Sequence, residues 1–189
     1  MTSTALTTIQ HSEYGTVYEV TVTHASRLNT LNSPVIRDLN VIFDRIDNDC
    51  NARVVVLRGK GERAWIGGAD IREMVSLDPT GARLFIQKIH NLCERIRGMN
   101  LPVIARINGY CLGAGLEVAA CCDLRLAAQS AIFGMPEVLL GIPSVIEAAM
   151  LPRVIGLGHT VDLVMTGRKI NAKRAADWGL IEEPVNMET

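Results

Sequence analysis

The most informative segment of the sequence is a glycine-rich strand-to-helix junction, Gly109-Tyr110-Cys111-Leu112-Gly113-Ala114-Gly115-Leu116-Glu117. It follows a buried apolar strand, Val103-Ile104-Ala105, and its glycines open a helix expected to continue to about Cys122. Free N–H groups at a helix start, helped by the helix dipole, attract negative charge. Helical side chains lean toward the N-terminus, so the Glu117 carboxylate should point back at the same cavity. This junction is a candidate oxyanion site, although a Glu near a helix dipole is also favourable for structure alone.

A second glycine-rich junction precedes it, Ala64-Trp65-Ile66-Gly67-Gly68-Ala69-Asp70-Ile71. Asp70 and Glu73 have the spacing of a capping box, so Asp70 is predicted to start a helix. The paired glycines permit backbone angles that other residues avoid and could aim the Ala69 N–H into a cavity. A plain tight turn is the alternative. One N–H from each junction could hold a carbonyl oxygen that becomes an oxyanion.

A second carboxylate follows Glu117 at Met135-Pro136-Glu137. Its neighbours in sequence are apolar, from Ile132 and Phe133 to Leu140. A carboxyl group in such surroundings should have a raised pKa and could carry a proton near neutral pH. Glu117 and Glu137 are therefore a candidate acid–base pair.

Strands alternate with helices along the chain, which indicates an α/β fold built from βαβ units. Ser33-Pro34 is predicted to open a helix over residues 33–47, with Ser33 as its cap. A helix over residues 79–97 is predicted to bury Leu84 among the residues of its core face. The other predicted strands are 17–23, 54–57, 124–126, 132–133 and 180–181, and the other predicted helices are 145–155, 159–165 and 172–178.

The composition is that of an ordinary globular protein and predicts one domain over residues 1–189. A net charge of -1 gives no electrostatic reason to expect nucleic acid or membrane binding. No apolar segment is expected to reach the length of a membrane span, and neither terminus matches a targeting signal. Five cysteines without a C-x-x-C pair predict reduced, packed thiols and a cytoplasmic location. The four scattered histidines predict no metal site, although His90 and Cys93 could share a helix face.

These residues together resemble the crotonase family, which includes enoyl-CoA hydratases and isomerases. The resemblance extends from about Val17 to Ile181, with the motifs in family order and at family spacing. The motifs are Asn29-Thr30-Leu31-Asn32, Gly67-Gly68-Ala69-Asp70-Ile71, Asn108 through Glu117, Cys122-Asp123, Phe133-Gly134-Met135-Pro136-Glu137, Leu151-Pro152-Arg153 and Gly179-Leu180-Ile181.

The resemblance implies a crotonase fold of repeated ββα units, assembled as trimers or pairs of trimers. It places the oxyanion-hole N–H groups on Ala69 and Ala114. Hydratases of the family keep both carboxylates, Glu117 and Glu137, so the pair favours the addition of water to a trans-2-enoyl-CoA. No metal or redox cofactor is implied, since coenzyme A is part of the substrate. The residues expected to contact substrate are Arg27, Arg63, Gly67, Gly68, Asp70, Ile71, Tyr110, Gly113, Pro136 and Ser144, with the two arginines near the phosphates of coenzyme A.

Two departures from the family pattern concern the acyl pocket and the assembly. The family has a glycine-rich stretch before Leu-Pro-Arg, where this chain has Pro143-Ser144-Val145-Ile146-Glu147. In the family this loop lines the acyl pocket, so the sequence does not identify the acyl group of the substrate. Family chains also continue past Gly179-Leu180-Ile181 into a helical segment that closes the pocket and contacts neighbouring subunits. A weaker homo-oligomer is expected without it.

Three alternatives to a hydratase stay open at this point. Within the family, the same oxyanion hole serves double-bond isomerases, thioester hydrolases and C–C bond lyases. A non-catalytic protein that binds acyl-CoA or regulates a longer relative is a second alternative. RNA binding, known for one branch of the family, is disfavoured because residues 79–97 lack a comb of lysines.

Overall fold

Two β-sheets and the helices around them make up the fold in the computed structural model, which describes residues 5–182 and 184–186. Three 3-10 helices accompany the regular elements, at Ala25–Arg27, Pro136–Leu140 and Ala148–Met150. The predicted absence of targeting signals falls partly outside the described residues. The strands and helices in chain order are β1 (Ala5–Ser12), β2 (Gly15–Val22), α1 (Ser33–Asp47), β3 (Ala52–Gly59), β4 (Ala64–Ile66), α2 (Ile71–Val75), α3 (Pro79–Arg97), β5 (Val103–Ile107), β6 (Tyr110–Leu112), α4 (Ala114–Cys121), β7 (Leu124–Ala127), β8 (Ile132–Gly134), α5 (Leu151–Thr166), β9 (Lys169–Asn171) and α6 (Ala172–Asp177).

Consecutive strands divide between the two sheets. The larger sheet has the order β1-β2-β3-β5-β7 and the smaller one the order β4-β6-β8-β9. Thus β3, β5 and β7 enter the larger sheet, while β4, β6 and β8, which directly follow them, enter the smaller sheet. The pairings among these six strands are parallel, and β1 and β9 close the outer edges antiparallel. This repetition confirms the predicted ββα units.

Helix α4 lies at the centre of the molecule, since all eight of its residues are buried. Its close approach to the smaller sheet depends on Gly115, where a Cβ atom would overlap the carbonyl oxygen of Ile66 at the end of β4. Glycine therefore allows the start of α4 to lie directly beside the β4–α2 junction. The two glycine-rich junctions, which begin 45 residues apart in sequence at Ala64 and Gly109, become neighbours.

Helices α1 and α3 have the predicted bounds, but two details of the prediction are wrong. The cap of α1 is Asn32, whose extended backbone lets its side chain accept the Val35 N–H at 2.9 Å. Ser33 is instead the first helical residue and hydrogen-bonds to Glu73. On α3 the core face is Phe85, Ile89, Leu92, Cys93 and Ile96. Leu84 lies one position out of this phase and is 58% exposed.

The segment after Glu137 differs most from the predicted secondary structure. Residues 141–147 form an irregular loop rather than the start of a helix. The non-helical backbone of Gly156, where φ is 76°, divides α5 into two helical segments, in agreement with the break predicted between residues 155 and 159. The predicted strand at residues 180–181 is absent, and within the part of the chain that the structure describes the last strand is β9, which pairs with β8. Three-residue β9 and the polar edge strand β1 carry little hydrophobic pattern, so their pairing arises from the sheet rather than from local sequence.

The run Ala148–Thr166 is long and apolar enough to cross a membrane, which corrects the expectation that no segment has that length. Length and composition alone are weak support for a span, because helices of soluble proteins satisfy the same criteria. This run also contains Arg153 and Asp162, and Asp162 pairs with Arg168. The five cysteines are free, and four of them are buried.

Candidate active site

A cavity of about 270 Å³ opens between the two glycine-rich junctions and the loop 141–147. Helix α3 forms one wall through Phe85, Ile86 and Ile89. Almost all of its surface is apolar, and the ionisable groups among its lining residues are Glu117 and Glu137. The cavity therefore brings together the two carboxylates that the sequence singled out. The remaining lining residues are Gly67, Gly68, Ala69, Ile71, Met74, Gly113, Ala114, Pro136, Leu140, Ile142, Pro143, Ser144, Val145 and Ile146.

Glu117 lies in the first turn of α4 and is 1% exposed. Burial raises the pKa of its carboxyl group to about 7, and the nearby Glu137 charge adds to the rise. Backbone N–H groups of the loop act in the opposite direction and lower this pKa. The Glu147 N–H donates to Glu117 Oε1 at 2.9 Å. Glu117 is thus poised near neutral pH, with one oxygen held and the carboxyl group bordering the cavity.

Glu137 is placed by the 3-10 helix Pro136–Leu140 and packs against the start of α4. A Cβ atom at Gly113 would lie 2.5 Å from Glu137 Oε1, and Gly113 has a φ of 53° that favours glycine. Burial raises the pKa of Glu137, while its own N–H and the Ser144 side chain act to lower it. Its Oε2 is buried and has no hydrogen-bond partner among the described residues. A buried carboxyl oxygen without a partner is costly unless it serves a ligand or a proton.

Two backbone N–H groups complete the polar features of the cavity. The neighbours of Ala69 are used in the backbone: the Asp70 N–H donates to Leu31 and the Gly68 carbonyl accepts from Leu31. Within the described residues, no acceptor is recorded for the Ala69 N–H itself. Ala114 is the first residue of α4, an end without a side-chain cap, where N–H groups lack intrahelical acceptors. Both alanines border the cavity, and the role of their N–H groups as an oxyanion site stays a prediction.

Of the other residues expected to contact substrate, six line the cavity: Gly67, Gly68, Ile71, Gly113, Pro136 and Ser144. The remaining four do not belong to the cavity lining. Asp70 caps α2 through a bond from the Arg72 N–H at 3.0 Å, and Tyr110 lies on β6 beneath the Lys169 ammonium. Arg27 and Arg63 are exposed at the surface. The role of these four in binding stays a prediction.

Sequence reasoning missed two features of this site. One is the apolar wall on α3, which can be read from helical spacing only once the partner surface is known. The other is Glu147, a buried residue (6% exposed) whose backbone holds Glu117 and whose carboxylate pairs with His90 and Arg97. The departure from the glycine-rich family pattern was the available signal.

His90, Glu94 and Glu147 bring their ligand atoms within 4.8 Å of one another, a grouping that the scattered histidines did not suggest. The positive charge of Arg97 already serves both carboxylates, at 2.7 Å from Glu94 and 3.6 Å from Glu147. Cys93, considered as a partner of His90, is buried instead beside Cys121. The cluster is therefore an ion-pair network among these residues.

Comparison with known proteins agrees with this geometry. The family model described as enoyl-CoA hydratase/isomerase matches residues 12–189. The chain belongs to the enoyl-CoA hydratase/isomerase family. It is 37% identical over 172 residues to a short-chain-enoyl-CoA hydratase from Clostridium acetobutylicum, covering 90% of this chain and 66% of the relative. It is 36% identical over 162 residues to a crotonyl-CoA hydratase from Syntrophomonas wolfei, covering 85% of this chain and 62% of that protein.

Solved structures of the family show the same fold. The crystal structure of an enoyl-CoA hydratase from Bacillus anthracis superimposes with a TM-score of 0.90 at 34% identity, covering 95% of this chain and 70% of that one. The crotonase fold expected from the motifs is thereby confirmed. This family member spans slightly less than two thirds of the length of these curated relatives.

Proposed function

We propose that this chain is an enoyl-CoA hydratase, which adds water across the double bond of a trans-2-enoyl-CoA. The observation that carries the proposal is the pairing of Glu117 and Glu137 in one apolar cavity whose lining also includes Ala69 and Ala114. Hydration requires a base for the water, an acid for C2 and a binding site for the thioester oxygen. This cavity offers one group for each task.

The two N–H groups supply the electrostatic part of the mechanism. They would hydrogen-bond the thioester oxygen and become more strongly bound as that oxygen gains charge in the enolate. One preorganised donor of this kind contributes roughly 3–4 kcal/mol to transition-state stabilisation. The apolar walls exclude water around the charge and strengthen the effect. Polarisation of the thioester in turn makes C3 electrophilic.

The two carboxyl groups supply the proton transfers. Because the pKa values of both groups are raised and their charges repel, the pair favours holding one shared proton near neutral pH. The loop N–H groups stabilise the Glu117 carboxylate, which suits it to accept a proton from the attacking water. Glu137, with one oxygen unpaired, then delivers its proton to C2. Reprotonation through water restores the pair.

The test is the addition of purified protein to crotonyl-CoA and, separately, to a 3-enoyl-CoA. A hydratase removes the conjugated-enoyl absorbance of the first substrate and forms 3-hydroxyacyl-CoA, identified by mass. The proposal fails if crotonyl-CoA is unchanged at high enzyme concentration. Conversion of the 3-enoyl-CoA to the conjugated isomer, without hydration, would instead support the isomerase alternative, which needs only one carboxylate.

We further propose that the acyl group is short and aliphatic. The support is the cavity, which is small and almost entirely apolar apart from its catalytic groups and Ser144. We also propose that the reaction requires no metal or redox cofactor, since coenzyme A is part of the substrate. Arg27 and Arg63 remain our candidates for the coenzyme A phosphates. Arg27 precedes Leu28, whose carbonyl accepts the Gly67 N–H, so it lies beside the glycine-rich junction at residues 64–71. Binding of crotonyl-CoA to the wild-type protein that is insensitive to salt, and unchanged in the Arg27→Ala and Arg63→Ala variants, would remove this assignment.

RNA binding, one of the alternatives to a hydratase, is disfavoured further by the ion pairs of α3. Arg95 of α3 pairs with Asp44 and Asp47, and Arg97 pairs with Glu94 and Glu147. These cations are therefore largely neutralised within the chain, whereas RNA binding needs an uncompensated basic surface. A cytoplasmic location stays a proposal, for which the free cysteines are the support.

A further inference from the structure

Glu147 connects the catalytic cavity to the outer face of α3. Its main-chain N–H donates to Glu117 Oε1 at 2.9 Å, inside the cavity. Its side chain points the other way, with one oxygen against His90 Nδ1 and the other 3.6 Å from Arg97. The residue is only 6% exposed, so its carboxylate is removed from water and depends on these two α3 partners.

The loop that carries Glu147 has little regular structure to hold it. Residues 141–147 contain no helix or strand, and a 3-10 turn begins only at Ala148. The end of this loop supplies the Ile146 and Glu147 N–H groups that lower the pKa of Glu117, and the adjoining 3-10 turn supplies that of Ala148. A shift of about 1 Å in such a loop would break these hydrogen bonds and can cost on the order of 100-fold in rate.

We propose that Glu147 is a positioning residue of the proposed hydratase: its hydrogen bond with His90 and its ion pair with Arg97 fasten the loop to α3 and thereby fix the N–H that orients Glu117. This inference rests on the proposed function for its kinetic readout. Its structural part, the dependence of the Glu117 environment on a side chain outside the cavity, stands apart from turnover. Glu147 itself touches no reacting atom.

The expected effects of substituting Glu147 follow from the hydrogen bond that Glu117 Oε1 accepts from the Glu147 N–H. In Glu147→Ala the loop loses its anchor, so the Glu117 carboxylate loses hydrogen bonds that stabilise its charge. The pKa of Glu117 should rise above about 7, and the acid limb of the rate profile should move to higher pH. We expect kcat to fall by roughly 10- to 100-fold, with KM changed by less than about 3-fold because the thioester still meets the Ala69 and Ala114 amides.

Other groups that face Glu117 must be held constant for this comparison. Glu137 on the 3-10 helix acts on it through its charge, and the buried Cys93 thiol of α3 interacts with both Glu117 and Glu147. A purely electrostatic influence of Glu147 would lower the Glu117 pKa when its negative charge is removed. Positioning predicts the opposite direction for Glu147→Ala and a smaller change for Glu147→Gln, which can still accept a hydrogen bond from His90.

The experiment measures kcat, KM and their pH dependence for wild type, Glu147→Ala, Glu147→Gln and His90→Ala, with Glu94→Gln as the matched control. Glu94 also pairs with Arg97, but its half-exposed side chain has no recorded hydrogen bond to the loop, so its loss should leave the profile unchanged. The His90 side chain is 40% exposed, so His90→Ala should fold even if Glu147→Ala does not, and should shift the profile in the same direction to a smaller extent.

Titration of the Glu117 carboxyl carbon by NMR, on the same samples, separates the two proposals. If the wild type hydrates no enoyl-CoA, the proposed function fails, while a raised Glu117 pKa in the Glu147 and His90 variants still supports the positioning role. A Glu117 pKa that is unchanged or lowered in the folded variants, together with a wild-type kcat, would overturn the positioning role. An equal effect of Glu94→Gln would do the same, since it would trace the change to Arg97 alone.

Discussion

Glu117 and Glu137 occupy the same cavity, but the protein holds them differently. Glu117 receives N–H groups from the loop, whereas Glu137 keeps one buried oxygen without a partner in the described part of the chain. Donors also act on Glu137, whose own N–H and the Ser144 side chain lower its pKa, so the contrast is confined to its unpartnered Oε2. That oxygen supports Glu137 as the group that exchanges a proton with the substrate, and the assignment of base and acid stays part of the proposal.

Replacing the proposed acid should remove hydration and preserve binding. Glu137→Gln keeps the size of the side chain but cannot deliver a proton to C2, and general acid catalysis contributes about 10²–10⁴-fold. We expect kcat for crotonyl-CoA to fall in that range, with the dissociation constant for a saturated acyl-CoA within a few-fold of wild type. Calorimetric titration and turnover on the same preparation check this. Turnover within a factor of two of wild type would contradict the role of Glu137.

Ionisation of the buried Glu117 carboxyl group should reduce the free energy of unfolding above neutral pH. Its pKa rises from 4.5 in ordinary surroundings to about 7 in the folded protein, so the folded state binds this proton more tightly. The resulting stabilisation is complete below about pH 4.5 and is lost as the pH rises through about 7, a loss of about 3 kcal/mol. Glu117→Gln avoids that loss. Its free energy of unfolding relative to wild type should therefore increase between about pH 5 and about pH 8.

Urea unfolding of both proteins at the two pH values measures this difference, since groups common to both cancel. Activity should meanwhile be lost, because Gln cannot act as a base. A constant difference in unfolding free energy across the pH range would show that Glu117 is not perturbed by burial.

At the scale of elements, two side chains of α3 that lie two positions apart face different surroundings. Ile86 lines the cavity, whereas Leu84, two positions earlier, is 58% exposed and faces away from the core. We expect Ile86→Ala to deepen the acyl pocket, raising the kcat/KM ratio of octenoyl-CoA to crotonyl-CoA by several-fold, since each methylene accommodated is worth roughly 1 kcal/mol. Leu84→Ala is the matched control on the same helix and should leave the ratio unchanged. A ratio unaffected by Ile86→Ala would mean that the acyl chain does not reach α3.

The position of α4 depends on the elements around it as well as on its own sequence. Its N-terminus is fixed by the contact of Gly115 with β4 and by the Gly113 N–H, which donates to the Gly134 carbonyl at 2.9 Å. The oxyanion site is therefore assembled from β4, β8 and α4 together. This explains why the two junctions converge although no local pattern joins them.

At the scale of the whole molecule, α5 presents an apolar stripe of Leu157, Val161 and Met165, which are 68%, 48% and 71% exposed. Exposed apolar surface on one helix face tends to find a partner. We expect the protein to self-associate with increasing concentration, and Val161→Lys to weaken that association. Light scattering across a concentration series measures it, with Leu84→Lys on α3 as the control. A monomer at every concentration, or a variant that associates as tightly as wild type, would contradict the role of the stripe.

The sequence by itself determined the alternation of strands and helices, the bounds of α1 and α3, the two glycine-rich junctions and the carboxylates Glu117 and Glu137. These are local properties: glycine at turns, apolar periodicity and caps act within a few residues of each other. Tertiary structure alone decided the phase of α3, the edge strands β1 and β9, the irregular loop 141–147 and the part played by Glu147. Each depends on what packs opposite, because burial and the direction of an N–H are fixed by neighbours distant in sequence. Glu147 illustrates the reason: the sequence marks its segment only as a departure from the glycine-rich family pattern, and the fold alone places its N–H on Glu117 and its carboxylate on α3.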